Sequence, residues 1–536
     1  MLSDIPHALP LGIISPAYFV SFSCLALVVL VYYHRQSSGK NAKLPPGPRG
    51  YPFIGNLLEI IKTKQFPLLF PEWSRVYGNM VQFTVLGARF IVVADYNVAV
   101  DLLEKRSAIY SDRPPAVLLT ELGGWGKAMS GLQYGPLFRK HRRMSQTHLN
   151  SNAVRGYGDL HNELASGLLS SLAAKPEKFM DHIFMYAAST VFRIAYDLDI
   201  ETPERRHLVD TANDAVDKAN KAFTKSAVVN FFPPMKWLYI LYPEWAPFSG
   251  FKKEVVALRK QTERSMNIPY NMVKDNMRDG SAGPSLVHDA IENIGRLAHV
   301  EKEDEEDICG LAGILFAAGQ ETTVTVLNSF VLAMVLNPEV QRKAQEEIDA
   351  IIPPDRVPTL DDYRDLPYIA AVIKEVYRWL VPVPNGLPHA VMEDDTYNGY
   401  FIPKGTVILT SLNQMCNACP RPTEFLPHRF IDGTDRGSVP ADPGDVVFGF
   451  GRRRCPGMWV ANNSIWTAVA QMLSSFEFLP EIVDGKECPP PALFEEATSR
   501  HPVPFRCRIL PRKDRQFPTF LNDPLVREPE QGRSCL

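Results

Sequence analysis

An uncharged run extends from Leu11 to Tyr33, twenty-three residues. At about 1.5 Å per residue it covers the roughly 30 Å apolar thickness of a bilayer and predicts a spanning helix. A cleaved signal peptide normally carries only about 7 to 15 apolar residues, so the run reads as an anchor. Further on, the pattern changes to period two: Met80–Val85 and Arg89–Val93 alternate or run apolar around Leu86-Gly87-Ala88, which predicts a β-hairpin. Residues 160–300 carry mainly helical periods. The apolar run from Ile308 to Leu336, preceded by the acidic tract Asp304–Asp307, predicts one helix of roughly 45 Å. Asn337-Pro338 stops it and starts another through Ile348, and Tyr368–Val381 predicts a further helix. Tyr397–Leu409 predicts a second hairpin turning at Pro403-Lys404-Gly405, and Val460–Leu473 a last helix. Past Leu510 the chain turns polar and predicts a poorly ordered tail. The expected fold is mainly α with a smaller β region (α+β), preceded by one N-terminal transmembrane helix.

Length adds a domain plan. The 536 residues show no internal repeat and no Gly/Ser linker, so we expect a short N-terminus (1–10), an anchor (11–33), a basic and proline-rich hinge (34–50), one large domain (51–510) and a tail (511–536). His34, Arg35, Lys40 and Lys43 follow the anchor whereas Asp4 and His7 precede it, which places the large domain in the cytosol. Net charge is −3, too small for general attraction to nucleic acid. The 8 cysteines have no disulfide spacing, and the pair Cys416/Cys419 lacks a second pair to complete a zinc site. An aromatic stretch, Phe231–Tyr242, reads either as a segment dipping into a membrane surface or as buried core.

Chemistry concentrates in Phe448-Gly449-Phe450-Gly451-Arg452-Arg453-Arg454-Cys455-Pro456-Gly457. Cys455 stands where a turn gives way to a helix, and the helix dipole is expected to lower its pKa and favour thiolate. Gly451 and Gly457 let the backbone approach a flat partner, Phe448 offers a ring to shield the sulfur, and the arginines offer carboxylate-binding forks. A dinucleotide site is the weaker reading because Gly449 and Gly451 lack the third glycine of G-x-G-x-x-G. A second notable stretch is Ala318-Gly319-Gln320-Glu321-Thr322-Thr323 in the middle of the long apolar helix, where an acid and hydroxyls are costly unless partnered.

F-x-x-G-x-R-x-C-x-G resembles the cysteine-ligand loop of the haem-thiolate monooxygenases, the cytochrome P450 superfamily, microsomal type, with a general similarity to fungal secondary-metabolism members. The Ala318–Thr323 stretch is similar to the family's A-G-x-[DE]-T-[TS] at every position. Glu375 and Arg378 resemble its E-x-x-R pair, locked by Arg429 of Pro427-His428-Arg429-Phe430. Arg142 matches the arginine of W-x-x-x-R, but Phe138 stands where tryptophan is usual and has no N–H to donate. The segment 413–425 is shorter than the family's usual run.

The resemblance implies the family's haem-thiolate fold, with haem b between the Thr322 helix and the Cys455 loop. It implies Cys455 as the iron's axial ligand, Arg453, Arg142 and His389 as propionate contacts, Thr322 holding a water and Glu321 feeding protons. It further implies O2 as co-substrate, insertion of one oxygen atom into a hydrophobic small molecule, and electrons from a membrane-bound NADPH-dependent reductase or cytochrome b5. The expected location is the endoplasmic reticulum membrane. Lys140, Arg142, Arg143, Arg452 and Arg454 are the expected docking face, with Arg453 turned inward. Two rivals share the scaffold: an O2-independent isomerase or dehydratase, and a haem-binding relative without activity.

Overall fold

The computed structural model describes residues 43–515 except 64–68, 226–228, 231–235, 298 and 497–498, so the anchor and most of the tail lie outside the described residues. Two-residue periodicity at the start of this region does form a hairpin: β1 (Met80–Val85) pairs antiparallel with β2 (Ala88–Val93). Its tight turn uses Leu86 and Gly87, both at positive φ (49° and 82°), the left-handed pair that two-residue hairpins require. The second predicted hairpin is corrected. Asp395–Tyr397 (β4) pairs with Tyr400–Ile402 (β5) around Asn398-Gly399, again at positive φ. Val407–Thr410 (β6) instead joins β2 in parallel and His389–Ala390 (β3) antiparallel, giving the sheet order β1-β2-β6-β3. An Asn-Gly turn outcompetes Pro403-Lys404-Gly405 as the reversal point.

The proline-rich segment is no free hinge where it is described. The Gln82 N–H donates to the Pro46 carbonyl (2.8 Å) and the Phe401 N–H to that of Lys43 (2.8 Å), strapping residues 43–46 onto β1 and β5. Gly47 is required there because a Cβ would lie 1.7 Å from the Gln82 carbonyl oxygen.

Helices form the rest: α1 (Pro136–Leu149), α2 (Gly158–Ala174), α3 (Phe179–Tyr196), α4 (Arg206–Lys225), α5 (Gly250–Asp279), α6 (Leu286–Leu297), α7 (Lys302–Leu336), α8 (Pro338–Ile351), α9 (Pro367–Trp379) and α10 (Met458–Ser475). The acidic tract caps α7: Glu301 and Asp304 make a reciprocal capping box, satisfying donors that a helix start leaves free. Most of α7 is buried. Its C-terminal half joins α2, α3, α8, α9 and α10 in the main core, while its N-terminal half packs with α3, α5 and α6 in a second.

Phe476–Val483 (β7), Lys486–Cys488 (β8) and Cys507–Pro511 (β11) make a three-stranded sheet, and Phe494–Glu496 (β9) pairs with Arg500–Pro502 (β10). The tail expectation is corrected at its start. Pro511 belongs to β11, and Arg512 and Arg515 are buried on Asp349, the latter at 2.8 Å. The described part of the aromatic stretch is not core: Trp237, Leu238, Ile240 and Leu241 are exposed, as are Trp245 (86%) and Phe248 (93%) just beyond.

Candidate functional site

Between α7 and the turn before α10 lies a largely apolar cavity of about 310 Å³. One wall is the loop Phe448–Gly457 with Val460 and Ala461; the facing wall is Ala318, Gly319, Thr322, Thr323 and Val326 of α7. The loop is shaped by its own backbone: the Cys455 N–H donates to the Phe448 carbonyl (2.8 Å), closing the chain around the sulfur. Phe448 is held edge-on against Tyr377 (5.7 Å). At Gly449 and Gly457 a Cβ would meet nothing within 4 Å, so these glycines leave the wall clear.

Two expectations change here. Gly451 does not line the cavity: its φ is +54°, and a Cβ would stand 2.0 Å from the Leu103 carbonyl oxygen, so it serves close backbone packing on the far side. The Cys455 thiol is also not pulled below its ordinary pKa by the protein. Burial raises it, and the opposing pull of the Gly457 N–H, Arg142 and Arg454 is smaller. α10 begins only at Met458, so Cys455 sits before the helix and not in its first turn.

Four basic side chains line the same cavity. Arg453 donates to the carbonyls of Ser111 and Leu132 (2.7 Å each), and its guanidinium lies 3.8 Å from the centre of the Phe138 ring. Phe138 thus takes another role at the tryptophan position, as a cation–π platform for Arg453. Arg142 donates to the Arg454 carbonyl (2.7 Å). His389 bonds the Tyr110 carbonyl through Nδ1 (2.8 Å), and burial together with Arg113 and Arg453 pushes its pKa down to about 3. The sequence reading missed Arg113, which donates to Ser130, Leu387 and Pro388 carbonyls (3.0, 2.8 and 2.6 Å). Burial and neighbouring Arg453 bring Arg113 down to about 9, and burial brings Arg453 to about 10. The available signal was an arginine beside Asp112, directly before Pro114-Pro115 and an uncharged run through Thr120.

None of Arg113, Arg142 and Arg453 forms an ion pair among the described residues; their donors end on carbonyls. A soft sulfur on one wall, glycines that clear its surface and clustered cations fit an iron porphyrin with two carboxylates. The outward arginines differ. Arg452 is exposed and donates to the Tyr134 hydroxyl (2.6 Å), while Arg454 pairs with Asp445 (2.7 Å). Lys140 is committed to Asp304 and Asp307 (2.6 Å each), and Arg142 faces the cavity, which leaves Arg143, Arg452 and Arg454 of the expected docking face pointing outward.

On α7 the Thr322 hydroxyl donates to the Ala318 carbonyl (2.8 Å) and faces the cavity. Glu321 does not line it. Its carboxylate is held on the other side by His501 (Nε2–Oε1 3.3 Å), Ser499 and Asn220, whose hydrogen bonds outweigh burial and keep it below the usual carboxylate range. Gly319 lines the cavity and also lets α3 approach: a Cβ would meet Val191 at 3.0 Å.

Away from the cavity, Glu375 and Arg378 on α9 form a fully buried bidentate pair (2.8 Å twice), with Arg429 Nε at 3.4 Å from the same carboxylate. The short segment 417–426 wraps them closely. Pro422 and Glu424 give carbonyls to Arg378, Pro420 and Arg421 give theirs to Arg429, and the Leu426 N–H donates to Glu375.

The family model described as Cytochrome P450 matches residues 45–507. The chain is 55% identical over 498 residues to the cytochrome P450 monooxygenase eriC of Hericium erinaceus, covering 93% of this chain and 97% of that protein. It is 37% identical over 480 residues to claR of Ampulloclitocybe clavipes (88% and 86% covered). Monooxygenase 176 of Postia placenta is 36% identical over 478 residues (88% and 91% covered).

Proposed function

The chain belongs to the cytochrome P450 family, and from that premise we propose that it inserts one atom of O2 into a C–H bond, or a related position, of a hydrophobic small molecule of fungal-type secondary metabolism. The observation that carries the reading is the Cys455 sulfur facing Thr322 across one apolar cavity ringed by Arg113, Arg142, Arg453 and His389. Bound haem b would supply the activation of oxygen and the storage of electrons.

The chain's own residues do the rest. Cys455 would hold the haem iron through its thiolate, and because burial raises the pKa of the free thiol, taking up the group would release a proton there. Arg113, Arg142 and Arg453 would hold the carboxylates of that group by charge-assisted hydrogen bonds in a largely apolar setting. Neutral His389 spends its Nδ1 proton on Tyr110, so it serves as a carboxylate donor only when a second proton is drawn onto Nε2. Thr322 positions a water with its hydroxyl oxygen, and Glu321 on the adjoining face is the proton source. Ile314, Leu315, Val383 and Leu387 give the cavity its apolar lining and support a hydrophobic substrate.

Electrons come, on this reading, from an NADPH-dependent reductase or cytochrome b5, docking on Arg143, Arg452 and Arg454. The uncharged run 11–33 and the exposed Trp237, Leu241, Trp245 and Phe248 support a single-pass protein of the endoplasmic reticulum with its catalytic body on the cytosolic membrane surface. The test is spectroscopic. Dithionite-reduced protein with carbon monoxide should show the red-shifted Soret band of a thiolate-ligated haem, and Cys455→Ser should abolish it; retention of the band in that variant would overturn the reading.

A further inference from the structure

Glu321 is fixed by a residue that no motif contains. His501 lies on β10, whose partner strand β9 and whose own backbone bond from the Arg500 N–H to the Pro382 carbonyl (2.9 Å) hold it against α7. Its ring bridges one turn of that helix: Nε2 is 3.3 Å from Glu321 Oε1 and Nδ1 is 2.7 Å from Thr325 Oγ1. The Thr325 hydroxyl also reaches the Glu321 carbonyl (3.0 Å), and with a single proton it cannot donate to both. All three contacts are satisfied at once when each ring nitrogen donates and Thr325 donates to the carbonyl.

Among the described residues, the surroundings offer no further ion pair to Glu321 or His501. From α4, Asn220 is neutral and Lys218 is paired with Asp214. From β9, Glu495 stands opposite His501 in register but is exposed. From β10, Arg500 turns to Asn413 and the Phe494 ring. Both side chains of the pair keep access to water, His501 at 32% and Glu321 at 22% exposure, while the neighbouring Thr322 lines the cavity.

We propose that His501 is a positioning residue for proton delivery: from β10 it ties the Glu321 carboxylate to the solvent side of α7, one residue from the cavity-facing Thr322. The proposal rests on the monooxygenase reading of the site. Without His501 the half-buried carboxyl loses its first partner, protonates more readily and is no longer fixed in direction.

The test uses the full haem-loaded protein in its ferric state. Infrared difference spectra follow the protonated-carboxyl band assigned to Glu321 by its loss in E321Q. In H501L the pH at which that band disappears should rise by about one to three units; H501Q, which keeps a donor, should move it less. A normal reduced carbon monoxide spectrum shows that each variant is folded. In parallel, hydrogen peroxide released per NADPH, with reductase and no added substrate, should rise about twofold or more in H501L and in E321Q. An unmoved band in H501L overturns the proposal. If E321Q raises peroxide while H501L changes neither readout, His501 fails and the proton-source reading of Glu321 stands. If the band moves in H501L but E321Q leaves peroxide unchanged, the pairing stands and its link to turnover is overturned.

Discussion

Two arginine clusters among the described residues are built in opposite ways. Around Glu375, the guanidinium groups of Arg378 and Arg429 share a buried carboxylate and spend further donors on carbonyls of the segment 420–424. Around the cavity, Arg113, Arg142 and Arg453 are tied to carbonyls without an ion pair among the described residues; Asp112 tempers two of them from a distance while its carboxylate accepts the Tyr134 N–H. The first cluster holds its own counter-charge, Glu375, between the two guanidinium groups and is structural. The second carries its positive charge in a largely apolar pocket without a carboxylate in contact among the described residues, which suits an anionic guest. What separates the two kinds of site is a carboxylate in direct contact with the guanidinium groups, present in the first and absent among the described residues around the second.

The largest expected effect comes from unbalancing the first cluster. Glu375→Gln leaves two buried cations without their counter-charge and should cost about 3–5 kcal/mol, read as a fall in denaturation midpoint and in the yield of folded protein. Near-normal stability would show that the two clusters are less different than their geometry says.

Arg453→Met should reverse the pattern. The fold survives with little loss, while the rate of haem transfer to an excess of an apo-globin rises about ten- to a hundredfold, matching the ~1.5–3 kcal/mol of a hydrogen bond to a charged group. A collapse of the fold without any change in haem retention would make this cluster structural as well.

His389 sharpens the comparison through pH. Its folded pKa, about 3, lies below the ordinary value of roughly 6.5, so on acidification the unfolded chain takes up the proton first. Its share of stability is therefore full above about 6.5, is lost as pH falls toward 3, and changes no further below that. In haem-free protein, His389→Gln should flatten the pH dependence across that window by at most ~1.4 kcal/mol per unit. The smallest effect is expected at Phe138→Trp. A better cation–π face and a new N–H change haem retention by less than about 1 kcal/mol, a few-fold in the transfer rate.

Much of this was legible in residue order because it is carried by short, fixed spacings. The Cys455 loop, the Ala318–Thr323 notch and the Glu375/Arg378 pair each lie within a few residues, and the length of α7 follows from one uninterrupted apolar run. Arg113 and His501 were missed for the same reason in reverse. Each is a single residue in an irregular stretch or a three-residue strand, and the contacts of Arg113 with Leu387 and of His501 with Glu321 span 274 and 180 positions. The Cys455 thiol was misjudged because a helix start is visible in sequence while burial is not, and burial is the larger effect. The β4–β5 turn was readable in Asn398-Gly399 but lost to the more conspicuous proline beside it.

The strap at Lys43 and Pro46 bears on protein engineering. A shortened form beginning after Gly50 would strip bonded backbone from two strands and uncover β1 along an edge that invites stacking between molecules. Truncation ahead of Lys43 keeps that margin sealed and is the better starting point for crystals.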